Sequence, residues 1–268
     1  MKTKGIPVVI LCGGKGTRLR EHTEYFPKPL VEVGGRPILW HVMKTFSHYG
    51  YKDFILCLGY KSEAIKQFFV NYSDWRDVDF KLQRGDIVNN KRLHDDVKDW
   101  NITFVDTGLE TNTGGRVKKA RPYIDGDVFF ATYADAVSDI DLNLLLDFHK
   151  KKGKIATVTC INPISQFGIV ASDKKGFISE FKEKPRLNQW INGGFFVFKK
   201  GIFKYLQERD VLERDTFNRL VAQQEAVAYK FKGFWACMDT YKDTMMLDGL
   251  FKKGESPWIK WDHTWKKK

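Results

Sequence analysis

The run IPVVILCGG at residues 6–14 constrains the possible folds of this chain more than any other stretch. A strand that is apolar at every position, without alternation, suits a parallel sheet buried on both faces, and the paired glycines end it abruptly. The pattern then repeats. RPILWHVMKTFSHYG places Ile38, Leu39, Val42, Met43 and Phe46 on one helical face, with Gly50 as the stop. DFILCLG reads as a second strand, and KSEAIKQFFVNY as a second helix with Ile65, Phe68 and Phe69 inward. Strands follow at NITFVDTG, DVFFATY and KIATVTC, with helices between them at GGRVKKARPYI and IDLNLLLDFHKKKG. This alternation predicts an open α/β sheet whose ligands gather at the carboxyl ends of the strands.

Residues 73–100 break the rhythm. They are charged and lack clean periodicity, so they read as an excursion from the fold, a lid or an oligomer contact. The last third mixes short strands and helices (GFISEFKEKP, INGGFFVFKK, DTFNRLVAQQ, AVAYKFKGFW), and no linker separates it from the rest. The expectation is one domain over residues 1–268. Hydrophobic residues at 43% and aromatics at 15% fit a packed core. No apolar run is long enough to insert into a membrane, and the apolar segment at the start enters a glycine loop without the cleavage site of a secretory leader. Cys12, Cys57, Cys160 and Cys237 are far apart in apolar surroundings and lack metal or redox spacing, as expected of reduced thiols in a cytoplasmic protein. The net charge of +12 is spread along the chain apart from the closing FKKGESPWIKWDHTWKKK. No nucleic-acid-binding signature accompanies it, so no nucleic-acid partner is expected.

The loop after the first strand carries the chemistry. A dinucleotide site needs G-x-G-x-x-G and an acid ending the second strand, and a Walker loop needs G-x-x-x-x-G-K-[ST]. Neither is present. Gly13, Gly14 and Gly16 can instead turn bare backbone N–H groups toward an anion. Thr17 adds a hydroxyl, Arg18 a guanidinium fork, and Lys28 a compact charge held between Pro27 and Pro29. A tight turn beside surface charges would use the same residues. Asp135 follows the strand VFFATY and Asp239 follows an aromatic run, both in apolar surroundings, where a carboxylate suits a hard cation. Asp139 and Asp141, just before LNLLLDF, read more simply as a helix N-cap region.

G-G-x-G-T-R-L followed by P-K-P resembles the signature of the sugar-phosphate nucleotidyltransferases. The continuation LVEVGGRPILWHVMK is similar to their glucose-1-phosphate cytidylyltransferase branch. CLGYK, VDTG, TGGR, EKP, INGGFFVF, GFW-x-x-MDT and SPWIKW extend the resemblance over nearly the whole chain. The resemblance implies a Rossmann-like open mixed sheet, mostly parallel, flanked by helices and carrying small C-terminal additions. It implies a reaction of CTP with a sugar 1-phosphate, glucose 1-phosphate first, giving CDP-sugar and pyrophosphate, with Mg²⁺ as cofactor and a homo-oligomer as the working form.

By the same resemblance, Leu11, Gly13, Gly14, Gly16, Thr17, Arg18 and Arg116 would hold the nucleotide. Lys28 would neutralise the reacting phosphate, with Arg18 as its catalytic partner. Arg116, after two glycines at a helix start, suits a phosphate contact; alone it would read as a solvated helix start. Asp135 and Asp239 would hold the metal. Glu183, Lys184, Asn192, Gly193 and Gly194 would take the sugar phosphate, although Lys184 alone reads as a turn lysine before Pro185. Two departures fall on the sugar side: Ala134 and Ala136 flank Asp135 where relatives usually have glycine, and Gln166 stands where they often have arginine. A different phosphorylated substrate, or a weakened regulatory protein that binds the same ligands, would also fit these changes.

Overall fold

The computed structural model describes residues 5–17, 26–70, 81–83, 86–88, 97–165 and 167–261. Seven strands form the central sheet: β1 (Val8–Leu11), β2 (Asp53–Leu58), β3 (Asn101–Asp106), β4 (Val128–Tyr133), β5 (Ala156–Ile161), β6 (Ile191–Lys199) and β7 (Ala226–Phe231). Their order is β7-β5-β6-β4-β1-β2-β3. β1 runs parallel to β2 and β4, β2 to β3, and β5 to β7, whereas β6 is antiparallel to both of its neighbours. The sheet is therefore mixed and mostly parallel.

The missing alternation in β1 follows from burial on two faces. Val8 and Ile10 join one apolar cluster, while Val9 and Leu11 join the other. β6 divides in the same way, Phe195 and Val197 against Phe196 and Phe198. Helices α1 (Ile38–His48), α4 (Leu142–Lys152) and α6 (Tyr241–Lys252) cover the first face. On the second lie α3 (Thr113–Lys119) and α5 (Phe217–Ala222), through Val117 and Leu220. In α2 (Ser62–Val70) Ile65 is buried and Phe69 packs on the first cluster, while Phe68 is only half-buried.

The C-terminal SPWIKW is a core element. Trp258 and Trp261 are buried against α1, and Trp258 Nε1 donates to His41 Nδ1 at 3.3 Å. The opposite nitrogen, His41 Nε2, lies 2.9 Å from the Val33 carbonyl, which can only accept, so this ring is neutral with its proton on Nε2. Most of residues 73–100 fall outside the described set, but the short strands Lys81–Gln83 and Asp86–Val88 pair antiparallel. The segment ends in the core: Trp100 is buried against Phe54, with ring centroids 5.2 Å apart, and donates to Ser47 Oγ at 2.9 Å. Among the described residues no helix is long and apolar enough to cross a membrane.

His149, in the last turn of α4, is fully buried with Nδ1 2.8 Å from Thr157 Oγ1. Burial first, then Lys199 and Lys150, pushes it down from 6.5 to about 4. The unfolded chain therefore binds a proton here at a pH where the folded protein does not, and stability falls as pH drops from 6.5 toward 4. The expected loss is about 3 kcal/mol across that window, read by urea unfolding. It should shrink in His149→Gln, and an equal slope in both proteins would contradict the assignment.

Candidate active site

The carboxyl ends of β1, β2, β3 and β4 meet at one edge of the sheet, and the glycine loop, Lys28 and Asp135 stand there. Lys28 opens a 3₁₀ turn, Lys28–Leu30, whose preceding Pro27 is extended at φ −66°. Pro29 occupies the first turn, where its missing N–H costs nothing. The Leu30 N–H closes onto the Pro27 carbonyl at 2.8 Å, so the lysine leaves a rigid bend. Its ammonium lies 2.6 Å from Asp135 Oδ2 and 2.5 Å from Asp239 Oδ1.

A small two-stranded sheet brings the two carboxylates together. Ala136–Ser138 pairs antiparallel with Trp235–Cys237, with Ala136 opposite Cys237. Met238 N–H then donates to the Asp135 carbonyl at 2.9 Å. Beyond it, Thr240 caps α6 in a capping box with Asp243, whose carboxylate also accepts from Asp239 N–H at 3.1 Å. Asp243 therefore fixes the backbone that carries Asp239. The sequence does hold this signal, as the T-x-x-D of TYKD.

Two negative charges this close need a positive charge between them, and Lys28 supplies it. Burial lowers the lysine's proton affinity, but Asp135 and Asp239 outweigh that, so the net shift is upward and the ammonium stays charged. Cys237 completes a group whose ligand atoms lie within 4.8 Å of Asp135 and Asp239. Burial, and then Asp135, pushes its thiol up, leaving the two carboxylates as the anionic donors. The pair already cradles one cation, the ammonium, and its oxygen chemistry fits a hard divalent ion.

The glycines divide by role. A Cβ on Gly14 would meet nothing, and the residue is exposed, so its backbone is open to an anion. Gly16 has φ +62°, the left-handed region that favours glycine. Thr17 is exposed, and together with Leu11, Gly14, Gly16, Lys28 and Asp135 it lines one cleft. Arg18 lies outside the described residues, as does Gln166. Arg116 is buried behind the loop, its guanidinium turned to backbone carbonyls. The two glycines before it do not present amides to the cleft: Gly114 N–H donates to the Asp210 carbonyl at 2.9 Å and Gly115 N–H to the same oxygen at 3.3 Å. A Cβ on Gly115 would stand 2.1 Å from the Glu208 carbonyl oxygen. The GG of TGGR is needed for close backbone approach.

A second constellation flanks Asp135. The Tyr133 hydroxyl donates to Glu213 and accepts from Asn192 Nδ2 at 3.1 Å. Gly194 has φ +77°, and a Cβ there would lie 2.5 Å from the Tyr133 ring. The Gly193 carbonyl accepts from Trp235 Nε1 at 2.7 Å. The sequence reading missed Tyr133 and Glu213, because one ends a buried strand and the other stands in an ordinary charged segment. Glu183 and Lys184 sit in the exposed turn after the strand Ile178–Lys182, with Lys184 at φ +45° and the pair 3.3 Å apart; neither lines the cleft around Lys28. Ala134 lines that cleft, whereas Ala136 is buried in the small sheet, and neither has positive φ. Asp141 caps α4 by accepting from Asn143 and Leu144 N–H, and Asp139 accepts from Phe234 N–H at 2.7 Å.

Gly115→Ala should destabilise the protein by about 1–3 kcal/mol, because a methyl group would enter occupied space. Thermal or urea unfolding checks this, and a stability within about 0.5 kcal/mol of the parent would contradict the packing described.

The nucleotidyl transferase family model matches residues 7–248. The glucose-1-phosphate cytidylyltransferases of Salmonella typhimurium and Salmonella typhi are each 43% identical over 259 residues, covering 95% of this chain and 99% of theirs. The crystal structure of HddC from Yersinia pseudotuberculosis superimposes with a TM-score of 0.67 at 21% identity, covering 92% of this chain and 99% of that one. The family model covers most of the chain and these relatives match it over nearly their whole length: the chain belongs to the nucleotidyl transferase family.

Proposed function

We propose that this protein joins CTP to a sugar 1-phosphate, glucose 1-phosphate first among them, giving a CDP-sugar and pyrophosphate in the cytoplasm. The observation that carries the reading is the Lys28 ammonium, 2.5–2.6 Å from two carboxylates, beside a glycine loop with open backbone. The glycine amides and Thr17 bind the triphosphate. A phosphate oxygen of the sugar 1-phosphate attacks the α-phosphorus, a P–O bond forms, and the bond to the β-phosphate oxygen breaks with its electron pair leaving on pyrophosphate. No proton must be removed from an ionised phosphate, so positioning and charge neutralisation do most of the work. Lys28 meets the charge spread over the reacting phosphate. Asp135 and Asp239 would hold Mg²⁺, which supplies Lewis-acid neutralisation of the phosphate oxygens when bound.

The relatives named above carry the choice of cytosine and glucose. Asn192, Gly193 and Gly194, with Tyr133 and Glu213, form the wall offered to the sugar, and Glu183 and Lys184, which stand in an exposed turn outside the cleft, are assigned to the sugar phosphate by the family resemblance alone. A second reading keeps the chemistry but changes the sugar, and one observation favours it: an alanine, Ala134, lines the cleft next to Asp135. The test offers the purified protein CTP, UTP, dTTP, ATP and GTP with several sugar 1-phosphates and Mg²⁺, and measures released pyrophosphate. CTP with glucose 1-phosphate should give the highest kcat/KM. Lys28→Ala should cost at least about 2 kcal/mol in turnover, and Asp135→Asn or Asp239→Asn should abolish metal-dependent turnover. No turnover with any pair would reject the enzyme reading. A preferred sugar other than glucose, shifted by Ala134→Gly, would establish the second.

The working form is proposed to be a homo-oligomer. The two-stranded ribbon of Ile169–Ser172 and Ile178–Lys182 exposes Phe177 at 71%, Ile178 at 65% and Phe181 at 64%. Three large apolar side chains this exposed on one short ribbon suit a surface that a second copy covers. Sedimentation equilibrium should find more than one copy, with Phe177→Glu and Ile178→Glu together shifting the protein toward monomer. A monomeric parent at micromolar concentration would contradict the proposal.

A further inference from the structure

Two hydroxyls from distant parts of the chain meet on one carboxylate. Glu213 lies in the π-helical turn Leu212–Thr216, which leads into α5. Its Oε2 accepts from Thr113 Oγ1 at 2.7 Å, and its Oε1 accepts from the Tyr133 hydroxyl. Thr113 is the first residue of α3, and Tyr133 is the last of β4. The Tyr133 oxygen accepts in turn from Asn192 Nδ2 at 3.1 Å, and Asn192 Oδ1 accepts from Gly194 N–H at 2.9 Å.

The two ends of this chain set the direction of every proton in it, because backbone N–H groups can only donate. Leu212 N–H donates to Thr113 Oγ1 at 2.9 Å, so the threonine's one proton points to Glu213. Gly194 N–H makes Oδ1 the accepting end of the Asn192 amide, so Nδ2 faces Tyr133 and the phenol proton also points to Glu213. Burial first, then Glu213, pushes the Tyr133 phenol up, which keeps that proton in place. Only a group that accepts at both of its outer atoms completes the chain, and a carboxylate is such a group. A glutamine has the same shape but would turn an NH₂ toward a hydroxyl that already has a donor.

The beneficiary is Asn192, an exposed amide held at both ends. One Nδ2 hydrogen goes to Tyr133, and the other has no partner among the described residues. The backbone beside it is tied to the small sheet between the two aspartates, since the Gly193 carbonyl accepts from Trp235 Nε1.

We propose that Glu213 is a positioning residue for the sugar 1-phosphate: its carboxylate gathers the Thr113 and Tyr133 hydroxyls and, through Tyr133, holds the Asn192 amide with one N–H left for a substrate hydroxyl. The substrate half of this rests on the nucleotidyltransferase reading; the hydrogen-bond chain does not. An amide locked in one orientation binds a hydroxyl without first losing its own freedom of rotation.

Glu213→Gln keeps the shape and removes one acceptor, while Tyr133→Phe removes the middle hydroxyl and keeps the ring that packs against Gly194. Each should raise KM for glucose 1-phosphate by about tenfold, with kcat and KM for CTP within about twofold of the parent. Asn192→Ala should do the same, and adding Glu213→Gln to it should bring no further rise, because both act on one contact. Nuclear magnetic resonance of the isotope-labelled protein gives a readout that needs no substrate. The Asn192 side-chain amide signals, identified by their loss in Asn192→Ala, should shift and broaden in Glu213→Gln. Unmoved amide signals in folded Glu213→Gln would overturn the proposal, as would an equal rise in KM for both substrates or additive effects with Asn192→Ala. If the parent turned over no substrate pair, the nucleotidyltransferase reading would fail, and the amide signals alone would still uphold or reject the hydrogen-bond chain.

Discussion

An ammonium held between two carboxylates organises the edge of this sheet. Asp135 and Asp239 come from distant parts of the chain, and without a cation between them their charges would oppose the packing that joins them. Lys28 removes that conflict at 2.6 and 2.5 Å. Much of the local architecture serves this contact: the proline-braced turn aims the lysine, the two-stranded sheet of Ala136–Ser138 and Trp235–Cys237 sets the two aspartates side by side, and the Thr240–Asp243 box stops the backbone after Asp239 from drifting. The same three charges can serve phosphate chemistry. With a divalent cation bound, Asp135 and Asp239 would be the residues that hold it and Lys28 would be the charge left to meet a phosphate, so the site would stay neutralised in either state.

The glycines around the site show how one residue type solves different problems. Gly14 leaves space open for a ligand, and Gly16 supplies a left-handed turn. Gly13 and Gly59 yield space to a guanidinium, while Gly114 and Gly115 yield it to the backbone at residues 208–210. In a sequence these six look alike. Only the three-dimensional neighbour distinguishes them, which is why the helix start at TGGR read as a place for Arg116 to contact phosphate although its two glycine amides are spent on the Asp210 carbonyl.

Most of the fold was legible. The unbroken apolar run of Val8–Leu11 signalled burial on both faces, and the α1 stripe from Ile38 to Phe46 is buried throughout. Lys28, Asp135 and the glycine loop were legible as well, because strand ends in an open α/β sheet are where polar residues in apolar sequence stand out. What was not legible depended on long-range packing. Trp100 closes a segment that looked like an excursion, yet it seats against Phe54 and Ser47. Tyr133 and Glu213 meet across the chain with no local pattern to announce them. Arg116 read as an exposed helix start or a phosphate ligand, since its four acceptors come from three different strand ends.

Lys28 occupies the place of a cation between Asp135 and Asp239. Mn²⁺ binding, followed by electron paramagnetic resonance without nucleotide, tests it in the parent protein and in Lys28→Met. Removing the ammonium should free the carboxylate pair and tighten Mn²⁺ binding by at least about tenfold, the equivalent of one pKa unit of interaction. Equal or weaker Mn²⁺ binding in folded Lys28→Met would mean that the two carboxylates do not form a cation site and that the lysine only holds them in place.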